Sequence, residues 1–154
     1  MNLTKLNNLQ KTVLVIAGSD PSGGAGIQAD LKTLTSFGVY GMTAITALTE
    51  QNSNGVFDIL EIPIDFVVKQ INCCLSDINA NAVKIGMLHS ADLISAVLEA
   101  LSNNNVVSNK KVNIVLDPVM VAKGGHKLLK ENAIDALKNF IKVAQPILTP
   151  NIPE

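Results

Sequence analysis

The sequence predicts an α/β fold, a mostly parallel sheet with helices on both faces, and three observations carry that prediction. Short apolar runs with strand character alternate with segments of helical period along the chain. The first run, Val13 to Ala17, stops at Gly18 in a loop of turn residues and glycines that opens a helix. No repeat, low-complexity tract or interdomain linker interrupts the alternation. Such an order implies right-handed crossovers and function at the loops on the strands' carboxyl ends.

Taken in order, Val13 to Ala17 has the residues of a fully buried strand. Ser19, Asp20, Pro21 and Ser22 supply turn chemistry, and Gly23, Gly24 and Gly26 let the backbone approach whatever lies against it. From Ile27 to Phe37 the spacing of Ile27, Leu31 and Leu34 marks one helical face. Gly38 and Gly41 bracket a bend, Met42 to Leu48 reads as a second strand, Glu50 to Gly55 as a polar loop, and Val56 to Ile62 as a third strand stopped by Pro63. Asp65 is the expected N-cap of a helix carrying Val67, Ile71, Cys74, Leu75 and Ile78 on one stripe. Ala82 to Ile85 returns as a strand. Ser90 can cap the next helix, which Asn103, Asn104 and Asn105 close with residues that accept left-handed backbone. Val112 to Leu116 is a further strand, Asp117 to Gly125 a loop, Ile134, Leu137 and Ile141 mark a last helix, and Pro146 to Leu148 a last strand.

With 154 residues the chain fits one domain, residues 13–154 after a frayed tail of residues 1–12. A domain of this size can bury roughly 70% of the surface its unfolded chain exposes. The formal net charge is -1 and the 12 basic residues are scattered, which excludes a strong electrostatic case for nucleic acid or an anionic membrane. An aromatic content of 3% likewise argues against a base-stacking platform. No apolar run approaches the length of a membrane span, and Met1 to Lys11 lacks the apolar centre of a secretory signal. Cys73 and Cys74 are sequence neighbours, a spacing that suits neither a structural disulfide nor a zinc pair and fits a reducing, cytoplasmic setting.

The glycines leave the ligand open. Gly24, Gly26 and Ala29 fit a loose dinucleotide pattern for which Glu50 would have to supply the ribose carboxylate; the nucleotide-hydrolase phosphate loop fails because no Lys-Ser or Lys-Thr pair follows; a tight turn without ligand also fits. Gln51 can donate and accept at once, and from the residues alone a solvated loop glutamine is the better reading. Asp20 and Asp30 flank the glycine loop, Met87 and Val119 read as core, and Asp117 ends a strand. Lys123 stands on a loop where it could neutralise a transferring phosphate. His89 and His126 lack partners at metal-ligand spacing and fit ordinary surface or capping roles.

The runs AGSDPSGGAGIQADLKT, ITALTEQNS, KIGML, VLDPVMVAKGG and TPNIPE, in that order, resemble the hydroxymethylpyrimidine/phosphomethylpyrimidine kinases of thiamine biosynthesis, in the ribokinase-like superfamily. The resemblance runs from about Val13 to Glu154 and implies phosphoryl transfer from ATP, with Mg2+, to a small pyrimidine and then to its monophosphate. It places Gln51, Asp30, Gly18, Ala25, Met87 and Val119 around the pyrimidine, and Asp117, Lys123, Asn151 and Glu154 on the phosphate side, Glu154 reaching the metal through water. The family's later glycine-rich anion hole, with its activating residue, matches no stretch here. The expectation is therefore the N-terminal part of such a kinase, inactive alone, with a sheet edge favouring self-association such as a homodimer. A non-catalytic pyrimidine-binding module and a pyridoxal kinase-like enzyme are the alternatives.

Overall fold

The computed structural model describes residues 10–119 and 133–152. They form β1 (Thr12–Ser19), α1 (Gly26–Ser36), β2 (Tyr40–Asn52), β3 (Gly55–Glu61), α2 (Ile64–Asp77), β4 (Ala82–Ile85), α3 (Ala91–Asn103), β5 (Asn113–Leu116), α4 (Ile134–Ala144) and β6 (Ile147–Leu148). The strands make one sheet in the order β3-β2-β1-β4-β5-β6. Every neighbouring pair is parallel except β2 and β3, which run antiparallel.

Side chains alternate across a strand, so β1 serves two layers. Leu14 and Ile16 face the main core with Met42 and Ala44 of β2, Val83 and Ile85 of β4, and Ile114 and Leu116 of β5. Val67 and Ile71 of α2, Leu93, Ile94 and Val97 of α3, and Leu137 and Phe140 of α4 close that layer. Val15 and Ala17 point the other way, where Ile27 and Leu34 of α1 meet them with Ile45. Helices thus cover both faces, as the alternation predicts. Ser90 caps α3 by accepting the Leu93 amide at 3.3 Å, and Asn105, at φ 59°, takes the left-handed turn after it.

Two local expectations are corrected. Residues Glu50 to Asn52 do not belong to a loop: β2 continues through them and turns over Ser53 and Asn54 into β3, with Asn52 paired to Gly55. Polar side chains made this stretch look like a loop, whereas a two-stranded ribbon satisfies their backbone and leaves the side chains to solvent. A shift of register at Glu50/Gln51 sets Glu50 opposite Asp58 and Gln51 opposite Val56, leaving Phe57 as the extra residue of a bulge. The second correction concerns α2, whose N-cap is Pro63 without a side-chain cap bond; Asp65 lies in the first turn and pairs with Lys69 at 2.8 Å. The helix macrodipole favours a carboxylate there as well.

Strand order fixes where a ligand can enter. The chain leaves β1 toward β2 on one side and later reaches β4 on the other, so the carboxyl ends of β1 and β4 lie side by side while their connections diverge. Such a switch point opens a crevice in doubly wound sheets. Here it lies between Gly18 and the segment Gly86–Met87.

Candidate functional site

At the end of β1 the loop is built around one carboxylate. Asp20 is 2% exposed; its Oδ1 accepts the Ser22 amide at 2.9 Å and the Ser22 hydroxyl at 2.7 Å, and its Oδ2 accepts the amides of Gly24 at 3.0 Å and Ala25 at 2.8 Å. Burial works to raise the pKa of this group, but those four donors outweigh it and hold the carboxyl below its ordinary value of 3.8. Gln28, on the first turn of α1, accepts the Asp20 amide at 2.8 Å and donates to the Ser19 hydroxyl at 2.7 Å, while Lys32 donates to the Gly23 carbonyl at 2.8 Å. Gly26, at φ +57°, lets α1 begin directly against the Gly18 carbonyl.

Beside this loop the β2–β3 ribbon walls an open cavity of about 470 Å³. Pro21, Leu48 and Leu60 give it apolar sides, Thr49 and Gln51 its hydrogen-bonding groups, and Glu50 and Asp58, cross-strand partners, its charge. The Thr49 hydroxyl donates to the Ser19 carbonyl at 2.7 Å, which anchors the ribbon to β1, and Gln51 Oε1 lies 3.2 Å from the same hydroxyl oxygen.

Gly18 and Met87 meet at the switch point: a Cβ on Gly18 would come within 2.9 Å of Met87 Cε. The Met87 carbonyl accepts the buried Thr46 hydroxyl at 2.8 Å, which ties the β4–α3 loop to β2. Asp117 and Val119 follow β5 and border, with Gly86 and Leu88, a crevice of about 10 Å³, near the lower limit for one water. The Asp117 amide donates to the Ile85 carbonyl at 2.9 Å, and Asn151 is exposed beyond β6. Asp30 is engaged by Lys84 at 2.9 Å, both side chains about a quarter exposed. Ala25 is exposed, and its amide is the one held by Asp20. Lys123, His126 and Glu154 lie outside the described residues.

The structure therefore gathers Gln51 with Thr49 and Pro21, joins Gly18 to Met87 one strand away, and sets Asp117 and Val119 along the same rim. Sequence reasoning missed Thr49, two residues before Gln51 on one strand face, because β2 was ended at Leu48. It missed Lys84, whose partner is 54 positions away. His89, expected at the surface, is 5% exposed with Nε2 3.3 Å from Glu61, since the loop after β4 folds beneath the end of β3. No group of three or more His, Cys, Asp or Glu suited to a metal occurs among the described residues, and no helix among them is long and apolar enough to cross a membrane.

Residues 20–154 match the family model described as phosphomethylpyrimidine kinase. The chain is 47% identical over 141 residues to the hydroxymethylpyrimidine/phosphomethylpyrimidine kinase of Salmonella typhimurium, covering 92% of this chain and 51% of that protein. The Escherichia coli protein of the same name is 45% identical over 141 residues, again with 51% of its length covered. Among solved structures, the phosphomethylpyrimidine kinase of Clostridium difficile superposes with a TM-score of 0.83 at 46% identity, covering 94% of this chain and 61% of that one. The pyridoxal kinase of Staphylococcus aureus in complex with pyridoxal gives a TM-score of 0.71 at 37% identity, over 86% of this chain and 47% of that one. The fold is that of the ribokinase-like vitamin kinases. The chain spans about half the length of the curated relatives it matches.

Proposed function

The chain belongs to the phosphomethylpyrimidine kinase family, and from that premise we propose that it carries the substrate-recognising half of an ATP-dependent kinase acting on 4-amino-5-hydroxymethyl-2-methylpyrimidine and on its monophosphate. The observation that carries this reading is the Gln51 amide in a cavity with apolar walls of Pro21, Leu48 and Leu60. A flat ring fits between such walls, and the Gln51 amide, which has both a donor and an acceptor, can pair with the ring's polar edge. The other residues the resemblance assigns to the pyrimidine, Gly18, Met87, Val119, Ala25 and Asp30, stand outside that cavity's lining, at the switch point, the β5 rim and the glycine loop.

In this reading Asp117 and Asn151, at the carboxyl ends of β5 and β6, face the phosphates together with Lys123 and Glu154. Oxygen donors of that kind suit Mg2+, which takes a carboxylate or two and keeps its waters. Bound there, the ion would neutralise charge spreading over the γ-phosphoryl group of ATP during transfer. The new bond joins phosphorus to the hydroxymethyl oxygen, the bond to ADP breaks, and the hydroxyl proton leaves. The protein's share is alignment and charge compensation. The location we propose is the cytoplasm.

The pyridoxal kinases among the structural neighbours supply the second reading, a pyridoxal-type ring in the same cavity. Calorimetric titration of the chain with the aminopyrimidine and with pyridoxal separates the two. The expected result is tighter binding of the aminopyrimidine, weakened about tenfold or more by Gln51→Ala, as loss of one buried hydrogen bond implies. Tighter binding of pyridoxal, or an affinity indifferent to Gln51→Ala, would sink the proposal. A coupled assay of ATP consumption tests turnover separately.

A further inference from the structure

The glycine loop has the composition of an anion cradle: several glycines, a run of backbone amides, and a helix start at Ala25. Yet the amides that a phosphate would need are already taken. Both oxygens of Asp20 are used, Oδ1 by the amide and hydroxyl of Ser22 and Oδ2 by the amides of Gly24 and Ala25, all within 3.0 Å. The carboxylate sits over Gly24, 3.7 Å from where a Cβ there would lie, in the space an incoming oxyanion would occupy. It is not a mobile plug. Asp20 is 2% exposed, its own amide is fixed by Gln28, its carbonyl accepts the Gly23 amide at 2.9 Å, and Lys32 clamps the Gly23 carbonyl from outside.

We propose that Asp20 is the resident anion of this loop, a specificity-determining residue that fills the amide cradle and bars phosphate groups from it. A ligand phosphate approaching Gly24 and Ala25 meets a fixed negative charge instead of free donors. The loop consequently presents its neutral backbone to an uncharged part of the ligand. Any phosphate the ligand bears is held elsewhere on the rim. The same arrangement argues against the dinucleotide reading that the glycine spacing leaves open, because the amides of Ser22, Gly24 and Ala25 are already held by Asp20. The inference concerns the loop's anion chemistry and stands apart from the identity of the ring.

The test uses the full chain, Asp20→Ala, and two anions that carry no ring, formate and inorganic pyrophosphate, at matched ionic strength against chloride. Emptying the cradle should lower the melting temperature. Formate or pyrophosphate should then raise it saturably in the variant, while leaving the wild-type chain unmoved. A purely structural role for the aspartate gives loss of stability without anion-specific rescue, and that result overturns the proposal. Should Asp20→Ala not fold, the wild-type chain decides through its backbone amide resonances. Ser22, Gly24 and Ala25 signals indifferent to pyrophosphate at neutral pH support the assignment, and saturable shifts there refute it. Neither probe resembles a pyrimidine, so failure here leaves the aminopyrimidine titration to stand or fall by itself.

Discussion

Replacing Gly26 by alanine should damage this fold more than its size suggests, and Gly38 supplies the internal control. Gly26 has φ +57° and Gly38 φ +68°, so an alanine at either pays for left-handed backbone, roughly 1–2 kcal/mol. The surroundings differ. A Cβ at Gly38 meets nothing within 4 Å, whereas one at Gly26 runs into the Gly18 carbonyl oxygen and comes within 3.2 Å of the Asp20 nitrogen and the Gly18 carbonyl carbon. Every one of those neighbours is backbone and none can rotate away. Either α1 lifts from the end of β1 or the loop shifts, a strain of the order found on overpacking, about 1–3 kcal/mol or more. Gly38→Ala should thus cost about 1–2 kcal/mol and Gly26→Ala about 2–5 kcal/mol, a serious fraction of a typical domain's 5–15 kcal/mol. Urea unfolding followed by circular dichroism reads both, with unchanged slopes showing that the native state and not the unfolded one is affected. Aminopyrimidine titration adds a second reading: Gly38→Ala should bind as the wild type does, and Gly26→Ala should not. Equal losses of stability in the two variants would refute the claim that contact with Gly18, and not φ alone, requires glycine at position 26.

Asp20 has a carboxyl held below 3.8, so its contribution to stability is complete above that value and is lost as pH falls through the lowered folded value; urea midpoints measured down through that acid range should fall in the wild type, and Asp20→Asn should flatten this part of the profile. Lys84→Met leaves Asp30 about a quarter exposed without its cation, and should cost about 1–3 kcal/mol, between the values for exposed and buried pairs; adding Asp30→Asn should recover part of it in the double-mutant cycle, and simple additivity would show that the pair is not coupled. Burial, with Cys73 and Asp77 nearby, pushes the Cys74 thiol up, while Cys73 is exposed; iodoacetamide followed by peptide mass spectrometry should therefore label Cys73 first, and equal rates would contradict the placement of α2.

Much of the sheet was legible because its signal is local. Ala82 to Ile85 is a buried run with a glycine after it, and β4 has those bounds. The stripe from Leu93 to Leu101 and the serine before it specify α3 and its cap. The ribbon was not legible: Glu50, Gln51 and Asn52 carry loop chemistry in their side chains, and only pairing with β3 makes them a strand. The site divides in the same way. The turn at Asp20 can be read from residue type and spacing, whereas Gln51 is singled out only by the family resemblance, and the choice of amides by the Asp20 carboxylate depends on the loop's path in space. Lys84 with Asp30, and His89 with Glu61, join residues far apart in sequence, and no periodicity announces them. Glu50 opposite Asp58 is a like-charge pair that strand propensity alone would disfavour.

Sheet pairing reaches β2 from β1 no further than Leu48, and beyond that point β2 is bonded to β3 alone. A two-stranded projection without a third neighbour is marginally stable by itself. Gln51, which we propose reads the ring, therefore rides on the portion of the sheet with the least backing, attached at its root by the Thr49 hydroxyl. Hydrogen exchange should find these amides among the first to open, and an occupant of the cavity would slow them by lending the finger the support its own strands do not supply.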